Sequence, residues 1–218
     1  MSRIFFSSFY EEITLLIQNI VSDPFLHALW INTLSYLENC GARKIASCEH
    51  PTAVKEEMLK HAAEEFRHAF FLKTQLRRVG FYFNDYSLPH LLGGWASYHY
   101  LDILDLHTSR YLRKSGRSLT ETKQLSYLLV TYAIERRASE LYPIYQSILR
   151  QQASKVQVQS ILLEEKEHLQ EMEQALHRVP FFEKHQEIVC HIEASACASW
   201  LKACQSSVLC FSPGISRT

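Results

Sequence analysis

The sequence predicts an all-α protein, built as a helical bundle with additional flanking helices. Glycine and proline are scarce, with 6 of each in 218 residues, so turns are few and uninterrupted segments are long. Apolar residues recur at helical spacing along most of the chain, and no segment alternates as a β-strand does. A composition of 47% hydrophobic and 21% charged residues is typical of a globular protein with a substantial core.

Seven segments are predicted to be helices, and helix-breaking residues separate them. Asp23-Pro24 divides the first segment from the second, and His50-Pro51 ends the second. We expect Thr52 to be the N-cap of the third helix and Gly80 to be its C-cap. The predicted helices cover roughly residues 7–21, 25–48, 52–79, 95–113, 119–152, 154–178 and 181–209. Residues 81–94 are predicted to form a loop.

Composition and sequence pattern also limit the possible domain organisation and the possible classes of partner. We expect one helical domain over residues 1–211, with its bundle core at about 25–178 and a flexible tail at 212–218. Lys+Arg and Asp+Glu are both 23, and this balance disfavours nucleic acid as a partner. The N-terminal apolar stretch is too short for a signal peptide, and no uncharged apolar run of about 18 residues appears. We therefore expect a cytoplasmic protein without a membrane partner.

The cysteines carry one pattern. Cys190, Cys197 and Cys204 repeat every seven residues, which places them on one face of the last helix. A packing seam of small residues is the favoured interpretation, and a redox or metal role is the alternative. Without a secretion signal the thiols are expected to be reduced. A homodimer through this helix is left open.

Four glutamates occupy positions where an amphipathic helix should be apolar: Glu38, Glu65, Glu135 and Glu165. Glu38, for example, shares its helix face with Leu34, Ala42 and Ile45. Burial of an unpaired carboxylate costs several kcal/mol, and four together would repel each other. Lysines and arginines lie mostly on other faces, so another source of positive charge is needed.

Two histidines share these faces. His68 follows Glu65 by three residues, and His168 follows Glu165 by three, so each pair points to one side of its helix. Four carboxylates and two neutral imidazoles would neutralise two divalent cations. A carboxylate-rich site with few imidazoles suits iron or manganese better than copper, and zinc remains open.

The order of these residues is more specific than either Glu-x-x-His pair alone. Glu38 precedes the first pair, and Glu135 precedes the second pair at a similar separation. Each half therefore reads as one glutamate, a helix and a turn, and then Glu-x-x-His. This pattern resembles the ferritin-like di-iron carboxylate superfamily, over roughly residues 25–178. The resemblance implies a ferritin-like four-helix bundle with two iron ions, or Mn and Fe, held by Glu38, Glu65, His68, Glu135, Glu165 and His168.

Several further residues are weaker candidates. His61, four residues before Glu65, is either an extra ligand or a residue that supports the ligands or lines the cavity. Tyr132, three before Glu135, is a candidate catalytic hydrogen-bonding or radical-forming group, with a core tyrosine as the alternative. Glu64 and Glu164 adjoin the ligands but break the spacing to histidine.

The segment between the two halves contributes two more polar residues of interest. Asp105 and His107 lie on the predicted helix over residues 95–113 and are interpreted as surface or lid residues.

Four functions are compatible with such a site. The first is an O2-dependent oxidase or oxygenase that acts on a small apolar organic substrate and draws on an external electron donor. The second is iron handling, as a ferroxidase or storage protein. The third is a rubrerythrin-like peroxidase, although the expected CxxC pairs are absent. The fourth is a helical interaction module in which the metals are purely structural.

Overall fold

A computed structural model describes residues 6–50, 52–114 and 116–211. Within these ranges the chain is helical and has no strand, which confirms the all-α prediction. The α-helices are α1 (Tyr10–Ser22), α2 (Pro24–Cys48), α3 (Glu56–Gln75), α4 (Trp95–Arg113), α5 (Leu119–Gln151), α6 (Gln159–Leu176) and α7 (Phe182–Phe211). Short 3-10 helices at Leu76–Val79 and Leu88–His90 lie between α3 and α4. The predicted tail lies outside the described residues.

Local side-chain chemistry sets several helix ends. The Asp23 carboxylate accepts hydrogen bonds from the backbone N–H groups of Phe25 and Leu26 at the start of α2. Ser118 and Glu121 form a reciprocal capping box at the start of α5. Gly80 adopts a left-handed conformation, with φ of 83°, and ends the segment after α3 as predicted.

Two predicted helix starts are wrong. The third helix begins at Glu56 with Lys55 as its N-cap, because the His50 ring accepts hydrogen bonds from the backbone N–H groups of Thr52 and Ala53. Thr52 is therefore in a turn and not at the N-cap.

The sixth helix begins at Gln159 and not near Ser154. Val156 and Val158 bury their side chains in the main core, and the Val158 N–H donates to Gln146 Oε1 at 2.9 Å. This side-chain acceptor replaces the carbonyl that an earlier helical turn would have supplied.

Two helix pairs frame the interior. α2 packs along α3, and α5 packs along α6, so each predicted half of the chain forms an antiparallel pair. α7 packs on α4 and α5, while α1 packs on α2, α5 and α7. The main apolar cluster unites α1, α2, α5 and α7, and in it the rings of Trp30 and Trp200 stack at 5.6 Å.

A buried ionic group fixes α4 and α7 to α5. The Arg137 guanidinium donates to both carboxylate oxygens of Glu193, at 2.9 and 2.8 Å. The Tyr100 hydroxyl donates to the same carboxylate at 2.6 Å. Arg137 also contacts Glu140 and the backbone carbonyl of Ser7. All hydrogen bonds of this group are therefore made within the protein.

The last helix turns its cysteines inward. Cys190, Cys197 and Cys204 are buried in the apolar clusters and form no disulfide, which confirms the packing seam. Of the helices in the described ranges, none combines the length and the apolar character needed to cross a lipid bilayer. The homodimer through this helix stays a prediction.

Candidate metal centre

Each half of the chain delivers its carboxylates and imidazoles to one buried place. α2 carries Glu38, and α3 carries Glu65 and His68. α5 carries Glu135, and α6 carries Glu165 and His168. The spacing of three within each Glu-x-x-His pair puts both side chains on the inward face of the helix. The six residues predicted as ligands thus converge.

The converging atoms form two clusters. The first contains His61, Glu65, Glu135 and His168, and all four residues are buried. The second contains Glu38, Glu65, His68 and Glu165. In each cluster the candidate ligand atoms lie within 4.8 Å of one another, so either cluster can hold a metal ion. Glu65 belongs to both, and its two oxygens are placed to bridge the clusters.

The distances show how closely the first cluster is drawn together. His61 Nε2 lies 3.3 Å from Glu65 Oε1 and 3.2 Å from Glu135 Oε1. His168 Nδ1 lies 3.3 Å from the same Glu65 oxygen. The His61 and His168 rings are 4.2 Å apart at their centroids. His61, the weaker candidate from the sequence, therefore stands as close to the carboxylates as His168 does.

The second cluster has one imidazole and three carboxylates. His68 Nδ1 lies 3.1 Å from Glu165 Oε1 and 3.7 Å from Glu65 Oε2. Glu38 completes the cluster and accepts a hydrogen bond from the Tyr142 hydroxyl. Unlike the other three members, Glu38 is only half-buried.

Unpartnered polar atoms test whether these residues fit a metal. Buried side-chain atoms normally have hydrogen-bond partners, and exceptions call for an explanation. Five atoms without such a partner lie among the facing groups of the clusters: His68 Nδ1, His168 Nδ1, Glu65 Oε1, Glu135 Oε2 and Glu165 Oε1. All five are lone-pair donors to a cation. His61 Nδ1 also lacks a partner, while Nε2 of the same ring is the atom near the carboxylates. The donor set therefore fits metal ions.

The carboxylates strongly attract positive charge. Burial and the neighbouring Glu65 and Glu165 carboxylates raise the pKa of Glu38 well above its usual range. Burial, followed by Glu165, has the same effect on the pKa of Glu135. Burial alone would lower the pKa of His68, but the neighbouring Glu165 and Glu65 carboxylates raise it to about 12.

A cross-brace of two further glutamates holds the histidines. Glu164 on α6 lies 2.6 Å from Nε2 of His68 on α3, and Glu64 on α3 lies 2.9 Å from Nε2 of His168 on α6. Each Nε2–H can donate outward to its glutamate, which leaves Nδ1 free to face the cluster. Such an outer carboxylate fixes the tautomer of a metal-binding histidine. Glu64 and Glu164 therefore support the ligands and do not replace them.

An apolar cavity of about 100 Å³ adjoins the carboxylate side of the clusters. It lies between α2 and α5 and extends under α4 to Trp200 of α7. All four glutamates of the clusters line it, while the three histidines do not. The imidazoles and the cross-brace thus close one side of the centre, and the carboxylates open on the cavity.

The tyrosine prediction requires a correction. Tyr132 packs in a separate apolar cluster that contains Cys190, and it neither lines the cavity nor belongs to either metal cluster. The tyrosine at the centre is Tyr142, which follows Glu135 by seven residues, or two helical turns, and donates a hydrogen bond to Glu38. Both tyrosines share the Glu135 face of α5. Which of them reaches the metal clusters therefore depends on where α2, with Glu38, packs against α5.

The inserted helix α4 lines part of the cavity with Tyr100 and Leu101, and it adds one charged residue near the cavity. Asp105 pairs with Lys44, which lines the cavity from α2. Both side chains are partly exposed, so this ion pair stands where the cavity approaches solvent. His107 is exposed, as a surface residue should be.

Comparison with known proteins leaves the interpretation to the site itself. No family model, curated protein or solved structure matches this chain.

Proposed function

We propose that this protein is a ferritin-like dimetal oxidoreductase that uses O2 on a small organic substrate. The observation that supports it most is the pair of buried clusters that share Glu65 and open on an apolar cavity. The helix pairs α2–α3 and α5–α6, each carrying one glutamate and one Glu-x-x-His pair, are the arrangement that a ferritin-like bundle requires.

The proposed occupants are two iron ions, with manganese and iron as the alternative pair. Glu65, Glu135, His61 and His168 would hold one ion, and Glu38, Glu65, Glu165 and His68 the other. Oxygen-rich ligands of this kind suit hard, redox-active ions. Two such ions supply up to two electrons towards O2 or peroxide, and an external donor must restore them.

The protein's own residues contribute orientation, charge and exclusion of water. Glu64 and Glu164 hold the His168 and His68 rings with Nδ1 directed at the centre. Tyr142 keeps its proton, since burial and Glu38 raise its pKa well above the usual range, and donates it in a hydrogen bond to Glu38. The apolar walls keep competing water away from the carboxylate side.

The cavity favours substrate oxidation over iron storage. An entry path for iron should be lined by carboxylates, whereas beyond the four glutamates this cavity is walled mostly by aliphatic and aromatic side chains, and its other charged residues are the cations Lys44 and Arg137. A purely structural metal site also has no need of a cavity on its open side. These features support the oxidase or oxygenase over the ferroxidase and the interaction module.

Anaerobic loading with ferrous ion, followed by exposure to O2, tests the proposal. We expect two irons per chain and consumption of O2. O2 consumption should stop once both irons are oxidised, and an added chemical reductant should restart it. Continued oxidation and retention of excess iron would instead identify a ferroxidase. Faster oxidation by hydrogen peroxide than by O2 would point to a peroxidase. Bound metal without any redox response would overturn the enzyme proposal.

Glu57→Gln is a suitable control, because Glu57 is exposed on the same helix as the shared ligand Glu65. We expect it to load iron and consume O2 as the unmodified chain does, whereas Glu65→Gln should do neither.

A further inference from the structure

We infer that the cavity beside the metal centre binds an uncharged, apolar molecule of about the size of one aromatic ring, and that Gly41 sets the size limit. The inference deepens the proposed function, because the reaction of such a molecule depends on the metal centre. Its binding does not depend on that reaction, so the two can be tested separately.

The walls of the cavity indicate an apolar occupant. Leu34, Leu37 and Ile45 line it from α2, and Ile134 and Leu141 line it from α5. The volume of about 100 Å³ is of the same order as the roughly 150 Å³ apolar cavity that is known to admit benzene.

The aromatic and basic residues in the wall already have partners. Tyr100 donates to Glu193, and Trp200 Nε1 donates to Ser97 at 2.8 Å. Arg137 is paired with Glu193 and Glu140 and donates to the Ser7 carbonyl. Once metal ions neutralise the four glutamates, a charged group buried here would find no free partner of opposite sign among these residues, and burial of such a charge costs several kcal/mol. The occupant is therefore uncharged where it is enclosed.

The charges at the mouth of the cavity also indicate an uncharged occupant. Lys44 is the cation nearest to solvent in the wall, and it is paired with Asp105 of α4. An anionic ligand would have to compete with this carboxylate. A neutral molecule can pass or rest beneath the pair without breaking it.

Gly41 provides evidence for an occupant that does not depend on the composition of the cavity wall. It lies inside the long helix α2, where glycine is about 1 kcal/mol less favourable than alanine. A Cβ atom built on Gly41 meets no heavy atom within 4 Å, so neither packing nor close backbone approach requires glycine. Its φ also needs no glycine, because Gly41 is not among the described glycines with a positive φ, which are Gly80, Gly93, Gly94 and Gly116. What glycine provides here is open space on the cavity wall.

Glu38 lines the same cavity and precedes Gly41 by three residues on the same helix face. An occupant that rests against Gly41 is thereby held beside the half-buried member of the metal clusters. Gly41 is accordingly a specificity-determining residue and not a catalytic one.

The test is calorimetric titration of metal-loaded, full-length protein with toluene, and with benzoate and benzylamine as charged probes of similar shape. We expect toluene to bind and both charged probes to fail. Gly41→Leu should weaken toluene binding by about tenfold or more, the scale on which misfit of a few carbon atoms is felt in an apolar pocket. Ala46→Leu, which adds bulk on the exposed side of the same helix, should leave binding unchanged.

A second variant covers the case in which Gly41→Leu fails to fold. Gly41→Ala should fold, raise the melting temperature, and bind toluene with nearly unchanged affinity. A lower melting temperature would show that glycine is needed for the fold and would overturn the inference. Stronger binding of benzoate than of toluene would also overturn it.

Metal content, measured on the same samples, separates the two proposals. Two ions per chain without toluene binding would refute the cavity inference and leave the dimetal proposal standing. If the chain binds no metal but still binds toluene, and Gly41→Leu weakens that binding, the cavity inference stands and the dimetal proposal is refuted.

Discussion

The two helix pairs are alike in sequence but build unequal metal clusters. Each pair supplies one glutamate and one Glu-x-x-His, yet the cluster at Glu135 gathers two imidazoles and the cluster at Glu38 gathers one. His61 has no counterpart in the α5–α6 pair, and it makes the difference. We call the Glu135 cluster the closed cluster, because all four of its residues are buried, and the Glu38 cluster the open cluster, because Glu38 is only half-buried. The closed cluster is the richer of the two in nitrogen ligands. A repeated motif therefore specifies a pair of sites but not equal roles for them.

The largest expected effect comes from the residue that belongs to both clusters. Glu65→Ala removes a ligand from each, and we expect the metal content to fall from two ions per chain to nearly none. Elemental analysis after reconstitution measures this. Glu57→Ala, exposed on the same helix, is the control and should retain two ions. Retention of both ions by Glu65→Ala would exclude a shared ligand.

Variants that remove a ligand from only one cluster should lose metal from that cluster and keep the ion of the other. Glu38→Ala should lose the ion of the open cluster, and His61→Ala should weaken that of the closed cluster, so that each approaches one ion per chain. After substitution with cobalt, the ion that remains in Glu38→Ala should show a more nitrogen-rich spectrum than the one that remains in His61→Ala. Identical spectra would mean that the two clusters do not differ as the structure indicates.

The cross-brace should matter less than the ligands but more than ordinary surface charge. Glu164→Gln and Glu64→Gln should lower metal affinity by about 10- to 100-fold, as is usual for carboxylates that orient a metal-binding histidine. Competition with a chelator measures the change. Glu167→Gln changes an exposed residue of α6 and should leave metal affinity unchanged. An equal loss of metal affinity in that variant would show that Glu64 and Glu164 do not orient the histidines.

The smallest expected effect distinguishes the two tyrosines. Tyr142→Phe removes one hydrogen bond to Glu38, worth about 1 kcal/mol, and should change the affinity of the open cluster by about fivefold. Tyr132→Phe should change neither ion, because that ring lies in another apolar cluster. A larger effect from Tyr132→Phe would contradict the placement of both residues.

The convergence of the six candidate ligands could be predicted from the sequence because helix geometry is local. A spacing of three puts Glu65 and His68 on one face whatever surrounds them, and an apolar face shows that they point inward. The same periodicity predicted the helices, with errors at Thr52 and Ser154, where His50 and Gln146 side chains satisfy backbone groups in place of a helical turn.

The rest of the site depends on how neighbouring helices align, which periodicity does not encode. Glu64 and Glu164 point away from the ligand face of their own helices and reach the histidine of the facing helix. His61 and Tyr142 were visible as face neighbours, but only packing puts them beside Glu135 and Glu38. The cavity at Gly41 likewise appears only when α2 and α5 are set side by side.

X-ray absorption spectroscopy of the iron-reconstituted protein tests the central claim most directly, since it measures the shell of each metal and its distance to the other. The account predicts a nitrogen and oxygen shell without sulfur, and a second metal at roughly 3.5–4 Å, the separation usual for paired sites. A sulfur ligand, or the absence of any metal–metal vector in protein that holds two ions per chain, would contradict it.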